Sequence, residues 1–295
     1  MTQSAAFPAG AANSAGITWI AAYPKSGSTW LRLFVAHMLA PQAAAGESLM
    51  AAAYRVPLDF GYLGFDRALG LKMADLTPAE AMLLKPRRLE AEAARSSGLT
   101  FMRTHDAWID TALGEPLLPL AATRAAVHLV RDPRDVAVSW AEYFNCTLDQ
   151  TISIMADPDY AMGFEPQSAA GPRIPLSLTD WSGHCQSWLT PRGFPCLLVR
   201  YEDLRADPMG EFARIQAFTD LPGDGELLAG AVEATRFERL KERDSRESFA
   251  FRGDGRGFFR SGRAGGWRTV LSPQQSRRIE RDHARMMTVL GYLTD

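Results

Sequence analysis

Short apolar runs alternate with segments whose apolar residues recur at helical spacing along most of the chain. The apolar runs have the length and composition of buried strands, and they lie at 17–22, 99–102, 125–130 and 196–199. Helical spacing predicts helices at 29–39, 133–144 and 273–290. This alternation predicts an α/β fold, a single domain with a parallel central sheet flanked by helices.

Three longer stretches interrupt the alternation. Residues 41–76 mix glycine, proline and aromatic residues, and we expect them to line a pocket. Residues 146–179 contain several prolines and are expected to form an irregular insertion or lid, while 245–266 are rich in glycine and arginine. Residues 1–16 carry no lysine or arginine and are predicted to be a disordered tail, which leaves 17–295 as the folded domain.

Composition narrows the classes of function. The formal net charge is -2, whereas a general nucleic-acid binder is usually basic. No apolar run approaches the roughly 20 residues that cross a bilayer, and the N-terminus does not resemble a secretory signal. The cysteines Cys146, Cys185 and Cys196 lack the spacing of a disulfide framework or a zinc site. We therefore expect a cytoplasmic protein that binds neither nucleic acid nor membrane.

Polar residues follow each predicted strand directly. Lys25, His105, Arg131 and Tyr201 come just after the four apolar runs. Ligands bind beyond the carboxyl ends of the strands in open parallel sheets. We therefore expect these four side chains to converge on one edge of the sheet.

A short polar loop joins the first predicted strand to the first predicted helix. Residues 23–30 read Tyr-Pro-Lys-Ser-Gly-Ser-Thr-Trp. Unpaired amides at a helix start favour an anion, Gly27 allows it to approach closely, and Lys25 adds a positive charge. The loop is interpreted as a phosphate cradle in a P-loop-like nucleotide-binding fold, although an ordinary strand-to-helix turn is an alternative for this segment alone.

A nucleotide triphosphatase or a P-loop kinase is a rival interpretation. The triphosphatase loop is Gly-x-x-x-x-Gly-Lys-Ser/Thr, with the lysine directly after the second glycine. In this chain Lys25 precedes Gly27, and the upstream glycine is missing. Asp132 and Asp203 are only weak candidates for a metal-binding aspartate. These differences disfavour hydrolysis of ATP or GTP, and a strict Mg²⁺ requirement would favour the kinase.

Two further motifs follow the loop in order. The pattern Arg-x-x-x-x-x-x-x-Ser after a strand is matched by 131–139, and the pattern Arg-x-Gly-x-x-Gly-x-Trp is matched by 260–267. Together with 23–30, they resemble the motifs of sulfotransferases that use 3′-phosphoadenosine 5′-phosphosulfate (PAPS). The resemblance extends from about Ile17 to the C-terminus. It implies transfer of a sulfuryl group from PAPS to a hydroxyl of a small-molecule acceptor, with 3′-phosphoadenosine 5′-phosphate (PAP) as the product.

The resemblance also implies which residues hold the donor. Those implied for the 5′-phosphosulfate are Lys25, Ser26, Gly27, Ser28 and Thr29. Those implied for the 3′-phosphate are Arg131, Ser139, Arg260, Ser261 and Gly262. Those implied for the adenine are Trp30, Tyr201, Thr235 and Phe237. A fixed arginine fork suits the nearly doubly charged 3′-phosphate.

His105 is the candidate general base. A single histidine is more often structural than catalytic, but Arg103-Thr104-His105 resembles the Lys-Thr-His of the family, with arginine for lysine. A pKa near 6.5 suits a base at neutral pH. The resemblance implies that His105 takes the acceptor proton, that Lys25 acts on the leaving group, and that Ser139 completes the catalytic set. His283 is expected at the surface.

No metal is expected. Sulfuryl transfer, like phosphoryl transfer, depends mostly on positioning and charge stabilisation, and the sequence offers no carboxylate cluster or His/Cys ligand set. One departure from the family concerns the third motif, where Ser261 stands at a position that is often lysine. Arg256 or Arg263 would have to supply that charge.

The identity of the acceptor is the least constrained part of the hypothesis. A phenol or a lipophilic alcohol suits aromatic candidates for the pocket lining, although the same residues suit packing and other acceptors such as a sugar. These candidates are Tyr54, Phe60, Tyr62, Phe65, Tyr160 and Phe164. A non-catalytic binder of 3′-phosphoadenosine nucleotides is a further alternative, against which Lys25 and His105 argue. No recognisable dimerisation segment specifies the oligomeric state.

Overall fold

The computed structural model describes most of the chain. The described residues are 16–44, 46–59, 62–72, 75–163, 174–247, 249 and 257–293. The β-strands are β1 (Ile17–Ala22), β2 (Thr100–Thr104), β3 (Thr123–Val130), β4 (Ala161–Met162), β5 (Leu176–Ser177) and β6 (Cys196–Arg200). The α-helices are α1 (Ser28–Leu39), α2 (Pro41–Ala44), α3 (Leu49–Tyr54), α4 (Tyr62–Leu69), α5 (Pro78–Arg95), α6 (Pro133–Phe144), α7 (Leu148–Met155), α8 (Trp181–Leu189), α9 (Tyr201–Ala206), α10 (Pro208–Thr219), α11 (Gly225–Ala234), α12 (Phe237–Glu247) and α13 (Pro273–Val289).

Four strands form a parallel sheet in the order β2-β1-β3-β6. Every residue of β1 and β3 is buried, because helices cover both faces of the sheet. Ile20 packs in a cluster with α1, whereas Trp19 packs on the other face with Leu89 of α5 and Trp188 of α8. The predicted α/β fold with a parallel central sheet is confirmed.

Several helices in the described chain begin directly after a residue whose side chain caps them. Asp132 precedes Pro133 and accepts a hydrogen bond from the Arg134 amide at 2.9 Å, as the sequence predicts for α6. Ser272 and Gln275 form a capping box at the start of α13. These local signals explain why the predicted and observed helices agree to within one or two residues.

The expectation of an irregular segment at 146–179 is wrong in its first part. Thr147 and Gln150 form a capping box that starts α7, and β4 then pairs with β5 in an antiparallel hairpin. Residues 164–173 lie outside the described part, so the ordering of a lid there stays a prediction. Of the predicted tail, only Gly16 is described.

Several other elements lie where the sequence pattern gave no clear helix. The stretch 41–76 contains α2, α3 and α4, and α5 follows it from a capping box of Thr77 and Glu80.

None of the helices in the described ranges has the length and apolar character needed to span a bilayer.

Histidines occupy the protein interior. His105, His128 and His184 lie at or below the carboxyl end of the sheet, and burial lowers the pKa of both His105 and His128 to about 3. Burial also lowers the pKa of His184. The expectation that His283 is exposed is wrong: it is 2% exposed, its ring packs against Trp181, and its Nδ1 lies 2.9 Å from the hydroxyl of Ser182.

Acid should destabilise the fold before it protonates the buried histidines. Their pKa values are lower in the folded chain than the value near 6.5 in the unfolded chain, so the unfolded chain binds more protons below pH 6.5. Their contribution is fully present above pH 6.5 and is lost as the pH falls towards 3. His105 and His128 should each lower the free energy of unfolding by about 1 kcal/mol between pH 6 and pH 5, and His184 should act in the same direction.

Urea unfolding at the two pH values measures this effect. His128→Leu should reduce this fall by about 1 kcal/mol, since it removes one buried histidine whose pKa is about 3. His37→Gln is the comparison, because His37 is only partly buried. The same change in the free energy of unfolding between pH 6 and pH 5 in the wild type and in His128→Leu would contradict the prediction.

Candidate active site

A cavity of about 270 Å³ opens at the carboxyl edge of the sheet. Lys25, His105, Arg131 and Tyr201 all line it. They follow β1, β2 and β3 and begin the helix after β6, so the parallel arrangement brings all four to one edge. The cavity therefore combines cationic, imidazole and phenol groups from four separate parts of the chain.

The loop between β1 and α1 has an unusual backbone. Lys25 has φ 71° and Gly27 has φ 101°, both in the left-handed region. Gly27 caps α1 without a side-chain hydrogen bond, so the first amides of the helix stay available to an anion. A Cβ atom at Gly27 would lie 2.7 Å from the ring of Tyr201, which leaves room only for glycine.

The Lys25 ammonium lies against aromatic side chains. Its Nζ is 3.5 Å from the ring centroid of Tyr143 and 4.7 Å from that of Phe258. Both rings also line the cavity. Cation–π attraction therefore keeps the charge at the cavity wall, beside the start of α1.

Arg131 connects the first loop to the third motif. Its Nη1 donates to the Lys25 carbonyl at 3.1 Å, and its Nη2 donates to the Arg263 carbonyl at 3.1 Å. The guanidinium carbon lies 4.4 Å from the centroid of the Tyr201 ring. These contacts hold a second cationic group at a fixed position in the same cavity.

The loop that contains the third motif, residues 260–267, is bound to α6 by hydrogen bonds and an ion pair. Asp135 accepts hydrogen bonds from the amides of Gly265 at 2.6 Å and Trp267 at 2.9 Å. Arg260 forms an ion pair with Glu142, with 2.7 Å between Nε and Oε2. Side chains of α6, the helix that also carries Ser139, thus hold this loop in place, and its residues Arg260, Ser261 and Gly262 line the cavity.

His105 is held as a neutral imidazole. Its Nδ1 lies 2.5 Å from the Ala22 carbonyl, which can only accept, so Nδ1 carries the proton and Nε2 keeps its lone pair. Burial, opposed only in part by this hydrogen bond, lowers the pKa to about 3, and the charges of Arg103 and Lys25 add to the effect. The cavity therefore contains an unprotonated base.

A comparison with protein families identifies the chain. Residues 17–291 match the family model described as the sulfotransferase domain. The chain belongs to the sulfotransferase family. Members of this family transfer a sulfuryl group, so the chain is an enzyme of the transferase class.

Curated sulfotransferases resemble the chain over most of their length. Sulfotransferase 1A1 from Canis lupus familiaris is 26% identical over 283 residues, which cover 92% of this chain and 83% of that protein. Cytosolic sulfotransferase 17 from Arabidopsis thaliana is 24% identical over 281 residues, which cover 89% of this chain and 71% of that protein.

Solved structures share the fold. Retinol dehydratase in complex with androsterone and the inactive cofactor PAP has a TM-score of 0.63 and 22% identity, covering 92% of this chain and 80% of that one. Mouse sulfotransferase SULT7A1 complexed with PAP has a TM-score of 0.58 and 18% identity, covering 92% and 84%.

Most residues predicted for the sulfotransferase site line the cavity. These are Lys25, Gly27, Ser28, Thr29, Trp30, His105, Arg131, Ser139, Tyr201, Phe237, Arg260, Ser261 and Gly262. Ser26 is buried behind the loop. Thr235 is also buried, and its hydroxyl donates to the Ala231 carbonyl at 2.7 Å. Arg263 contributes its carbonyl to Arg131, and Arg256 lies outside the described residues.

Sequence reasoning missed Arg103 as a site residue. It is the penultimate residue of β2, the strand that His105 follows, and it lines the cavity; burial lowers its pKa to about 10, so it stays charged at neutral pH. Its place in Arg103-Thr104-His105, where the family has lysine, was the available signal. Tyr143 and Phe258 were also missed, because nothing local links either ring to Lys25.

The expected aromatic lining of the acceptor pocket is wrong for the three candidates whose side chains are described, Tyr54, Phe65 and Tyr160. Tyr54 is 71% exposed, and Phe65 is buried against Ala81 and Ile174 without lining the cavity itself. Tyr160 packs against Trp140, and the side chains of Phe60, Tyr62 and Phe164 lie outside the described part. The described wall on this side instead consists of Tyr143, Phe144, Met162, Ile174 and Leu176.

One group of potential metal ligands lies below the cavity. The ligand atoms of His128, His184 and Cys185 are within 4.8 Å of one another, and all three residues are buried. Burial raises the pKa of the Cys185 thiol, which disfavours a thiolate unless a cation is present. The sequence indicated no such group, and the absence of a metal stays a prediction.

Gly27→Ala should weaken PAP binding. The added methyl group would meet the Tyr201 ring and would sit on a left-handed backbone that costs a non-glycine residue about 1–2 kcal/mol. We expect at least a roughly tenfold loss of affinity by calorimetry, since tenfold corresponds to about 1.4 kcal/mol. Gly230→Ala is the matched control, because no atom lies within 4 Å of its added Cβ. Equal PAP affinities of the two variants would refute the role of this loop.

Proposed function

We propose that this sulfotransferase transfers the sulfuryl group of PAPS to a hydroxyl of a small-molecule acceptor by in-line displacement. One observation carries the proposal: a helix start with Lys25, the separate cation Arg131 and the neutral base His105 line the same cavity. A donor with phosphates at both ends requires two anion sites, and a hydroxyl acceptor requires a base.

The donor side of the cavity fits a phosphoadenosine nucleotide. The amides at the start of α1 and the Lys25 ammonium suit the 5′-phosphosulfate, in a P-loop-like arrangement. Arg131 and Ser139 suit the 3′-phosphate, and Trp30, Tyr201 and Phe237 suit the adenine as aromatic partners; the three aromatic rings also line the cavity. Arg260 would join the 3′-phosphate by exchanging its ion pair with Glu142.

The reaction follows from the groups around His105. Nε2 takes the proton of the acceptor hydroxyl, whose oxygen forms a bond to sulfur while the bond from sulfur to the bridging oxygen breaks. The electron pair of that bond leaves with the phosphate of PAP, and Lys25 and Arg103 meet the growing negative charge. A bound donor anion raises the pKa of His105 from its low value, so the base gains strength when the donor is present.

The acceptor side favours an apolar alcohol or a phenol. Its described wall is aromatic and aliphatic, with Phe144, Met162 and Leu176 among the lining residues. The structure of retinol dehydratase, which shares the fold, contains androsterone in one complex and retinol in another. A cytoplasmic location is part of the proposal, supported by free cysteines and by a relative named as cytosolic.

His105→Ala and Lys25→Ala should abolish most of the turnover. Loss of the base is expected to lower kcat by about 10²–10⁴-fold, with PAP affinity largely kept. Loss of Lys25 should lower both kcat and donor affinity, because the ammonium meets charge in both states. Turnover is measured with labelled PAPS and a panel of phenols, steroid alcohols and sugars.

Two variants control for the loss of a histidine or a lysine as such. His37→Gln and Lys241→Ala change residues that lie elsewhere, on α1 and α12. Both should keep wild-type turnover. If His105→Ala and Lys25→Ala also kept full turnover on a good acceptor, the mechanism would be wrong.

A further inference from the structure

A buried charge network lies behind His105. Lys85, Asp59 and Asp106 all have fully buried side chains. The Lys85 ammonium donates to Asp59 at 2.8 Å and also to Asp106. Burial raises the pKa of Asp106, an effect that Lys85 opposes. Burial of three charged groups costs desolvation free energy that their attraction often does not exceed. Stability alone therefore does not explain this network.

The network forms hydrogen bonds with the residues on both sides of His105. The Thr104 hydroxyl donates to Asp59 at 2.7 Å and accepts from the Asp106 amide at 3.0 Å. The Asp59 amide donates to the Arg103 carbonyl at 3.1 Å. His105 is therefore flanked by two residues whose side chains belong to, or bond directly with, the network.

The same network reaches the acceptor wall. The Asp106 carboxylate accepts from the Ser177 amide at 2.7 Å, and the Ala107 amide donates to the Ser177 carbonyl at 2.7 Å. Leu176, the neighbour of Ser177 in β5, lines the cavity. Asp106 thus connects the strand end that carries His105 to the hairpin that lines the cavity.

We propose that Lys85, Asp59 and Asp106 are positioning residues that fix His105 relative to the acceptor-lining hairpin. The inference rests on the proposed role of His105 as the base. The three residues are not among the described residues that line the cavity, so they act through His105 and β5 rather than on the substrate. Arg103 lines the cavity, and its guanidinium is a second positive charge, besides Lys85, that interacts with the carboxylate of Asp59.

Asp106→Asn is the principal test. It keeps the shape of the side chain and an oxygen for the Ser177 amide, but it leaves Lys85 with a single carboxylate. We expect kcat to fall by about 10- to 100-fold, because a small misplacement of a base is costly. The KM for the acceptor should rise, and PAP affinity by calorimetry should be unchanged.

A second readout needs no turnover. In ¹⁵N NMR spectra, His105 of the wild type should show the tautomer with a proton on Nδ1, as its contact with Ala22 requires. In Asp106→Asn we expect a mixture of the two neutral tautomers, because the ring is no longer held. The combined variant Asp59→Asn, Lys85→Met and Asp106→Asn should behave in the same way, and it removes the Lys85 charge together with both of its carboxylate partners if the single variant does not fold.

Arg124→Gln is the matched control for the loss of a buried charge. Arg124 is buried at the amino end of β3, where it donates to the Thr219 carbonyl at 3.1 Å and pairs with Asp220. Thermal unfolding should show that this variant is destabilised, while kcat and the His105 spectrum stay as in the wild type.

The outcomes separate the two proposals. Unchanged kcat, acceptor KM and His105 tautomer in folded Asp106→Asn would overturn the positioning role, and so would an equal loss of kcat in Arg124→Gln. If the wild type transferred no sulfuryl group while the tautomer still shifted in Asp106→Asn, the proposed function would fail and the positioning of His105 would stand.

Discussion

Complete burial of β1 and β3 is the constraint on which the site depends. With every residue of both strands packed between helices, polar side chains leave the core only at strand ends. The parallel arrangement sends the carboxyl ends of four strands to the same edge. Lys25, His105, Arg131 and Tyr201 are neighbours for this reason, although they are spread over most of the chain. Two of the loops are also held by side chains: Arg131 links the loop at Lys25 to the loop at Arg263 through their carbonyl groups, and Asp135 holds the second of these loops against α6.

The parts of the molecule that could be predicted are those with local causes. The strand, loop and helix at the N-terminal end of the fold each have a pattern that operates over a few residues, and so does the Asp132-Pro133 start of α6. The capping box of Thr147 and Gln150 was equally local, but the prolines that follow it suggested an irregular segment. Motif resemblance then supplied residues whose roles no local pattern specifies, Ser139 among them.

What could not be predicted arises from packing between distant segments. His283 is polar and sits on an amphipathic helix, and only the approach of α8 buries it. Phe65 was as good a candidate for a pocket wall as Phe144, because an aromatic residue suits either a cavity or a core. The cation–π contacts of Lys25 join residues more than a hundred positions apart. The pKa of His105 could not be predicted either, since burial and neighbouring charges from other segments determine it.

The contact between Gly27 and Tyr201 has a consequence for sequence variation. The ring occupies the space that any side chain at position 27 would need, so the two positions form one steric unit although 27 lies in the loop before α1 and 201 begins α9. A side chain at 27 would need a smaller residue at 201, which would remove the ring that faces Arg131, and it would still be strained by the left-handed backbone at this position. We therefore expect libraries that vary positions 27 and 201 together to keep glycine at 27 in most active members. The shape of the phosphate-binding loop therefore depends on a residue far away in the sequence as well as on the residues of the loop itself.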